Sequence, residues 1–151
     1  TRQALIEPIA TAADLIIDTS AMVVHALREA VRARVDGRCA NQQSVMFGSL
    51  GYKHGIPGDA DFVYDVRSLP NPVWERQLRD LTGHAPAVIA YLEGHTEVGA
   101  LIADLTVFIA KRIAECAASN RGYLTIAIGC TGGQHRSVYV VECLAARFRQ
   151  E

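Results

Sequence analysis

Hydrophobic positions recur at two different spacings along this chain. Between Thr96 and Ala118, Val98, Leu101, Ile102, Leu105, Phe108, Ile109, Ile113 and Cys116 repeat at steps of three and four. That spacing predicts one long helix with a core-facing stripe, and Thr96 is expected to cap it. Val23, Val24, Leu27, Val31 and Val35 repeat the pattern more briefly, predicting a helix that Thr19 or Ser20 caps and that runs to about Arg34. Other apolar stretches have strand character: Asp14–Asp18, Val45–Ser49, the alternating Asp61–Val66, and Tyr123–Ile128. Segments 87–92 and 137–149 read as helices and Trp74–Arg79 as a helical turn. Leu69-Pro-Asn-Pro72 reads as extended or turned, because each proline disfavours helix in the residue before it. Strands alternating with helices predict an α/β fold, a small layered sheet with flanking helices.

Polar residues mark the divisions. Asp36 to Ser44 is polar, contains glycine and lacks periodicity, so it is read as a linker. Residues 1–35 are then expected to belong to something other than the main domain at 45–151. No apolar run approaches the roughly 18–20 residues of a membrane span, so no membrane partner is expected. Cys39, Cys116, Cys130 and Cys143 show no CxxC pairing, which fits reduced thiols and a cytoplasmic home. The net charge of −1 provides no global field for nucleic acid. Thirteen of the 15 basic residues are arginine, consistent with local anion sites or with a GC-rich genome. Arg28, Arg32, Arg34 and Arg38 form either an RNA-facing helix edge or a solvated one.

The densest chemistry is Gly129-Cys-Thr-Gly-Gly-Gln-His-Arg-Ser137, a glycine-rich turn between an apolar strand and a helix. Such a turn can direct backbone N–H groups at one point beside the positive end of a helix dipole, and Arg136 adds a planar fork suited to phosphate oxygens. This is read as a phosphate pocket. Cys130 to Arg136 also spells C-x5-R followed by Ser, the signature of cysteine-dependent phosphatases, in which a thiolate at the helix start attacks phosphorus. Against that alternative, Gly129 stands where a His often precedes the cysteine and bulky His135 precedes the arginine. Asp59, Asp61 and Asp65 are acids without an assigned role. The remaining reading is a tight strand-to-helix link.

A second concentration, Gly51-Tyr-Lys-His-Gly-Ile-Pro-Gly58, follows a strand and brings Lys53 and His54 to a strand-end loop, where ligand sites of α/β sheets commonly lie. Arg67 either joins the same pocket or pairs with Asp65. No histidines at i, i+4 support a metal site, and neither a G-x-S-x-G nor a Walker A run is present.

Gly51-Tyr-Lys-His-Gly-Ile-Pro57, Asp59-Ala-Asp-Phe-Val-Tyr-Asp-Val-Arg67, Leu69-Pro-Asn-Pro72, His95-Thr-Glu97 and Ile128-Gly-Cys-Thr-Gly-Gly-Gln-His-Arg-Ser-Val-Tyr139 occur in this order. Together they resemble the C-terminal domain of the RapZ/YvcJ-type RNase adapter family over about residues 45–149. The resemblance implies a noncatalytic domain similar to the sugar-phosphate-binding subdomain of phosphofructokinases. It implies that the domain senses glucosamine-6-phosphate, binds a small regulatory RNA, presents it to an RNase E-like endoribonuclease, and self-associates. By this resemblance the loop of Cys130, Thr131, Gly132, Gly133, His135, Arg136 and Ser137 would hold the sugar phosphate, with His54 and Arg136 as principal contacts; Lys53 and Arg67 join the candidate set from the reading of the residues above. Residues 1–35 resemble the last strand and helix of the family's P-loop domain. ATP or GTP would then belong to a domain upstream of Thr1, and no cofactor to this chain. The family's lysine- and arginine-rich tail has no counterpart before Glu151, so weaker RNA attraction is expected.

Overall fold

Tyr123–Cys130 is the axis of the fold: after Tyr123, every residue of this strand is buried. The computed structural model describes residues 12–13, 16–20, 22–35, 43–119 and 121–149. In chain order the elements are α1 (Val24–Val35), β1 (Ser44–Gly51), β2 (Phe62–Asp65), α2 (Pro86–Glu93), α3 (Thr96–Ala118), β3 (Tyr123–Cys130) and α4 (Arg136–Phe148). Short 3-10 turns at Tyr52–His54 and Pro72–Trp74 complete them. The chain divides into two compact units, Thr1–Arg38 and Cys39–Glu151. The division falls within the expected linker, most of which lies outside the described residues.

In the second unit β3 pairs in parallel with β1 on one side and β2 on the other, giving the order β1-β3-β2. Gly51 pairs with Cys130 and Asp65 with Gly129, so all three strands end at one edge of the sheet. This is the α/β architecture that the alternation of elements predicts. One sheet face carries Phe47, Phe62, Tyr64, Leu124, Ile126 and Ile128 into the core, where Val88, Leu92, Ile102, Ile109, Val140 and Leu144 from the helices meet them. Fully burying each such side chain contributes about 1.5–3 kcal/mol.

The predicted α3 stripe is the buried one at Val98, Ile102, Leu105 and Ile109. Phe108 lies at its margin, 43% exposed, with its ring edge against Phe62 and Tyr64. Thr96 is not the cap. His95 holds that position, with extended backbone and no side-chain cap bond, and Thr96 is already helical. The His95 ring packs on Tyr91, centroids 4.9 Å apart, and Glu97 places negative charge at the positive end of the helix.

In the first unit, α1 starts later than Thr19 or Ser20 would have it. The Ser20 amide donates to Asp18 Oδ1 at 2.9 Å and Met22 N–H to Thr19 O at 3.1 Å, so a local turn competes with the helix. Residues 14–15 of the expected first strand lie outside the described residues, and 16–18 make no strand. The helical turn expected at Trp74–Arg79 begins earlier: Pro72 presets the backbone and Asn71 Oδ1 accepts from Val73 N–H at 3.4 Å.

Candidate functional site

The C-terminal ends of β1 and β3 touch backbone to backbone. Gly133 has φ of 70°, the left-handed region that favours glycine. A Cβ placed on it would lie 2.6 Å from Gly51 N, and one on Gly51 would lie 2.6 Å from Gly132 C. Only a pair of residues without side chains lets the two loops close this far. Of Gly129, Gly132 and Gly133 in this turn, only Gly133 adopts a left-handed angle. Closure aligns Lys53 N–H with Thr131 O at 3.3 Å and brings the Lys53 ammonium beside Gly132, within 3.9 Å of where a Cβ would stand. Tyr52 lies over Gly129, and the Arg67 guanidinium stacks 4.4 Å from the Tyr52 ring centre.

Cys130 lies beneath this junction, 3% exposed. Its sulfur lies 3.2 Å from Ser137 Oγ and accepts from Gly133 N–H at 3.2 Å. Burial alone raises the thiol's pKa. Hydrogen bonds from the Ser137 side chain and from the Ser137 and Gly133 amides, with the Arg136 charge, outweigh it, so the thiol is held below its ordinary range. The Gly133 amide, expected to point at a phosphate, points at sulfur instead.

The residues after the glycines fasten a long segment, 67–83, against the loop. Arg136 Nη1 donates to Arg67 O at 2.7 Å and to Leu69 O at 3.0 Å. His135 Nε2 lies 3.1 Å from Leu78 O, a contact that needs the proton on Nε2. Gln134 Nε2 donates to Leu81 O at 2.8 Å, and Gly83 N–H returns a bond to Gln134 O at 2.9 Å. Segment 67–83 is therefore a strap held by the motif. Arg136, expected to offer its whole fork to an anion, spends one nitrogen on the strap. It is 5% exposed, and its buried Nε has no hydrogen-bond partner among the described residues.

Between loop and strap lies a cavity of about 330 Å³. It is lined by Lys53, by Cys130–Gly132 and Gln134–Arg136 of the loop, and by Asn71, Val73 and Arg79 of the strap. Three lining residues are cations and none is Asp or Glu. A larger, more open groove of about 570 Å³ beside Glu75 and Tyr91 has no Lys or Arg in its lining.

Of the residues the sequence singled out, Lys53, Cys130, Thr131, Gly132, His135 and Arg136 line the cavity. Gly133 stands behind Cys130, and Ser137 is wholly buried. His54 ends the 3-10 turn, exposed and outside the lining. Arg67, left between two readings, is paired: its Nε and Nη2 reach Asp65 Oδ2 at 2.9 and 2.7 Å, and that bonding holds the Asp65 carboxyl below its ordinary range. Asp61, at the opposite end of β2, binds Arg121 and accepts from Thr125 N–H at 2.8 Å. Asn71, Val73, Arg79 and Gln134 are lining residues that the sequence reading did not single out. The only signal for the first two was the Leu69-Pro-Asn-Pro72 turn. Among the described residues no cluster of His, Cys, Asp and Glu could hold a metal, and no helix is long and apolar enough to cross a membrane.

The family model described as the RapZ C-terminal domain matches residues 43–151. Proteins called RNase adapter protein RapZ from Yersinia pseudotuberculosis, Yersinia pestis and Yersinia enterocolitica are each 51% identical to this chain over 145 residues, 96% of its length. The chain spans 51% of the length of each of these relatives. A match over both loops, the strap and the helix that anchors them places this chain in the RapZ family.

Proposed function

We propose that the second unit is a noncatalytic sensor for an amino-sugar phosphate, glucosamine-6-phosphate in the first instance, and that it serves an RNA-binding adapter. The observation that carries the reading is the cation-lined, acid-free cavity at the sheet's C-terminal edge, with a buried Arg136 Nε left unpaired. An anion entering this cavity meets three cationic residues and no carboxylate to repel it. The Lys53 ammonium and the Thr131–Gly132 turn take the phosphate. Gln134, with its Nε2 committed to Leu81, keeps Oε1 as an acceptor for the sugar's ammonium or a hydroxyl.

The adapter half of the reading rests on the relatives' name. A small RNA would bind through phosphate contacts to exposed cations near the cavity, and an endoribonuclease would receive that RNA. Sugar phosphate and RNA then compete for overlapping positive surface. Self-association belongs to the same reading, and an ATP- or GTP-binding half would precede this chain.

Cysteine-dependent phosphatase chemistry is the second reading, favoured by the lowered Cys130 thiol. It lacks a proton donor: no acid lines the cavity, and Asp65 is tied to Arg67. Calorimetry separates the two readings. Glucosamine-6-phosphate binding that Lys53→Ala weakens at least tenfold and Cys130→Ser leaves in place supports the sensor. Hydrolysis of an aryl phosphate by wild type but not by Cys130→Ser would establish the enzyme instead.

A further inference from the structure

We infer that Asn71 and Arg79, both carried by the strap, form the sugar-facing wall of the cavity and give it preference for a phosphorylated sugar over bare phosphate. The inference rests on the sensor reading above and assigns the side of the cavity that the glycine-rich motif does not supply.

The strap is built to hold that wall in place. Its two ends are fixed by bonds from the motif: Arg136 grips the carbonyls of Arg67 and Leu69, while His135, Gln134 and Gly83 fasten residues 78–83. A Cβ on Gly83 would lie 2.4 Å from His135 O, so the strap seats on the loop with no space between. Between the anchors, Arg79 Nε donates to Val73 O at 3.3 Å, which closes residues 73–79 into a loop and directs the rest of the guanidinium. Asn71 is fixed in the same way: its Oδ1 accepts from Val73 N–H, so its Nδ2 donors remain for a ligand. Asn71 and Arg79 line the same cavity as Lys53, and Val73 lines it with them.

The chemistry of this wall matches a sugar ring. It combines two donor groups held by hydrogen bonds with one apolar side chain, the mixture that ring hydroxyl oxygens and C–H groups call for. The phosphate end is already served by Lys53 and the turn. Arg79 also adds positive charge, so the wall could act through charge alone, and the test must separate that from contact with the sugar.

The experiment is calorimetry of the full 151-residue chain with two probes, glucosamine-6-phosphate and inorganic phosphate, on wild type, Arg79→Ala, Arg79→Lys and Asn71→Ser, each checked by its unfolding midpoint. Asn71→Ser keeps a capping oxygen and removes the amide donors. For Arg79→Ala and Asn71→Ser the expected result is about a tenfold loss of sugar-phosphate affinity with less than about a threefold change for inorganic phosphate, a selective loss typical of removing one well-placed polar contact. Arg79→Lys should recover only part. Equal losses for both probes, full rescue by Lys, or no loss at all would overturn the inference while leaving the sensor reading standing. Wild type that binds neither probe would overturn both.

Discussion

Gly132 and Gly133 are neighbours in sequence, yet the fold makes opposite demands on them, and substituting each by alanine tests the geometry of the loop junction. Gly133 carries φ of 70°, where an L-residue costs about 1–2 kcal/mol. Its new Cβ would lie 2.6 Å from Gly51 N and 2.9 Å from Leu50 C. Both are backbone atoms of a buried strand end, so relief requires the two loops to part, at a typical overpacking cost of about 1–3 kcal/mol. Gly133→Ala should therefore lose about 2–5 kcal/mol, a large share of the about 5–15 kcal/mol that holds a domain together. A Cβ on Gly132 meets only the flexible end of Lys53 at 3.9 Å, ordinary contact, so Gly132→Ala should stay within about 1 kcal/mol of wild type. Urea titrations of the three proteins measure the difference, and in thermal unfolding the midpoint of Gly133→Ala should fall by on the order of 10 °C. Equal stability of the two variants would refute the close approach of β1 and β3 ends on which the cavity depends.

Other consequences are independent of that junction. Gly99, inside α3, has nothing within 4 Å of an added Cβ, so Gly99→Ala should stabilise by about 0.5–1 kcal/mol in the same titration. Ile109 is fully buried, and Ile109→Ala should cost about 2–5 kcal/mol. The Cys130 thiol titrates lower folded than unfolded. Its stabilisation is therefore fully present above the unfolded value near about 8.5 and disappears as pH falls through the folded value. The stability of wild type minus that of Cys130→Ser should thus rise between neutral and alkaline pH; a flat difference would show that Ser137 and Gly133 do not favour the thiolate.

The parts of this molecule written in local periodicity were legible in its sequence. The α3 stripe, the buried β3 run and the alternating β2 each declare themselves within a few residues. Caps were less legible: Thr96 and Ser20 have capping chemistry, but the His95–Tyr91 contact and the Asp18 turn decide where the helices begin. The glycine-rich loop could be recognised as a site because its chemistry is contiguous. The strap could not. Asn71 and Arg79 reach the cavity only because Gln134, His135 and Arg136 bind backbone carbonyls more than 50 residues away, and a carbonyl leaves no mark in the sequence. The same long-range bonding changes the meaning of Arg136, which reads as a free fork and proves to be half brace. Lys53 and His54 are adjacent, yet the 3-10 turn puts only the first on the cavity.

An anionic sugar is expected to enter between the Cys130–Arg136 loop and the strap. Amide chemical-shift mapping during titration with glucosamine-6-phosphate tests it most directly. Saturable shifts are expected at Lys53, Thr131, Gly132 and Arg79, with Asp61 and Arg121 at the far end of the strands unmoved. Shifts confined to those far-end residues, or none at millimolar ligand, would contradict it.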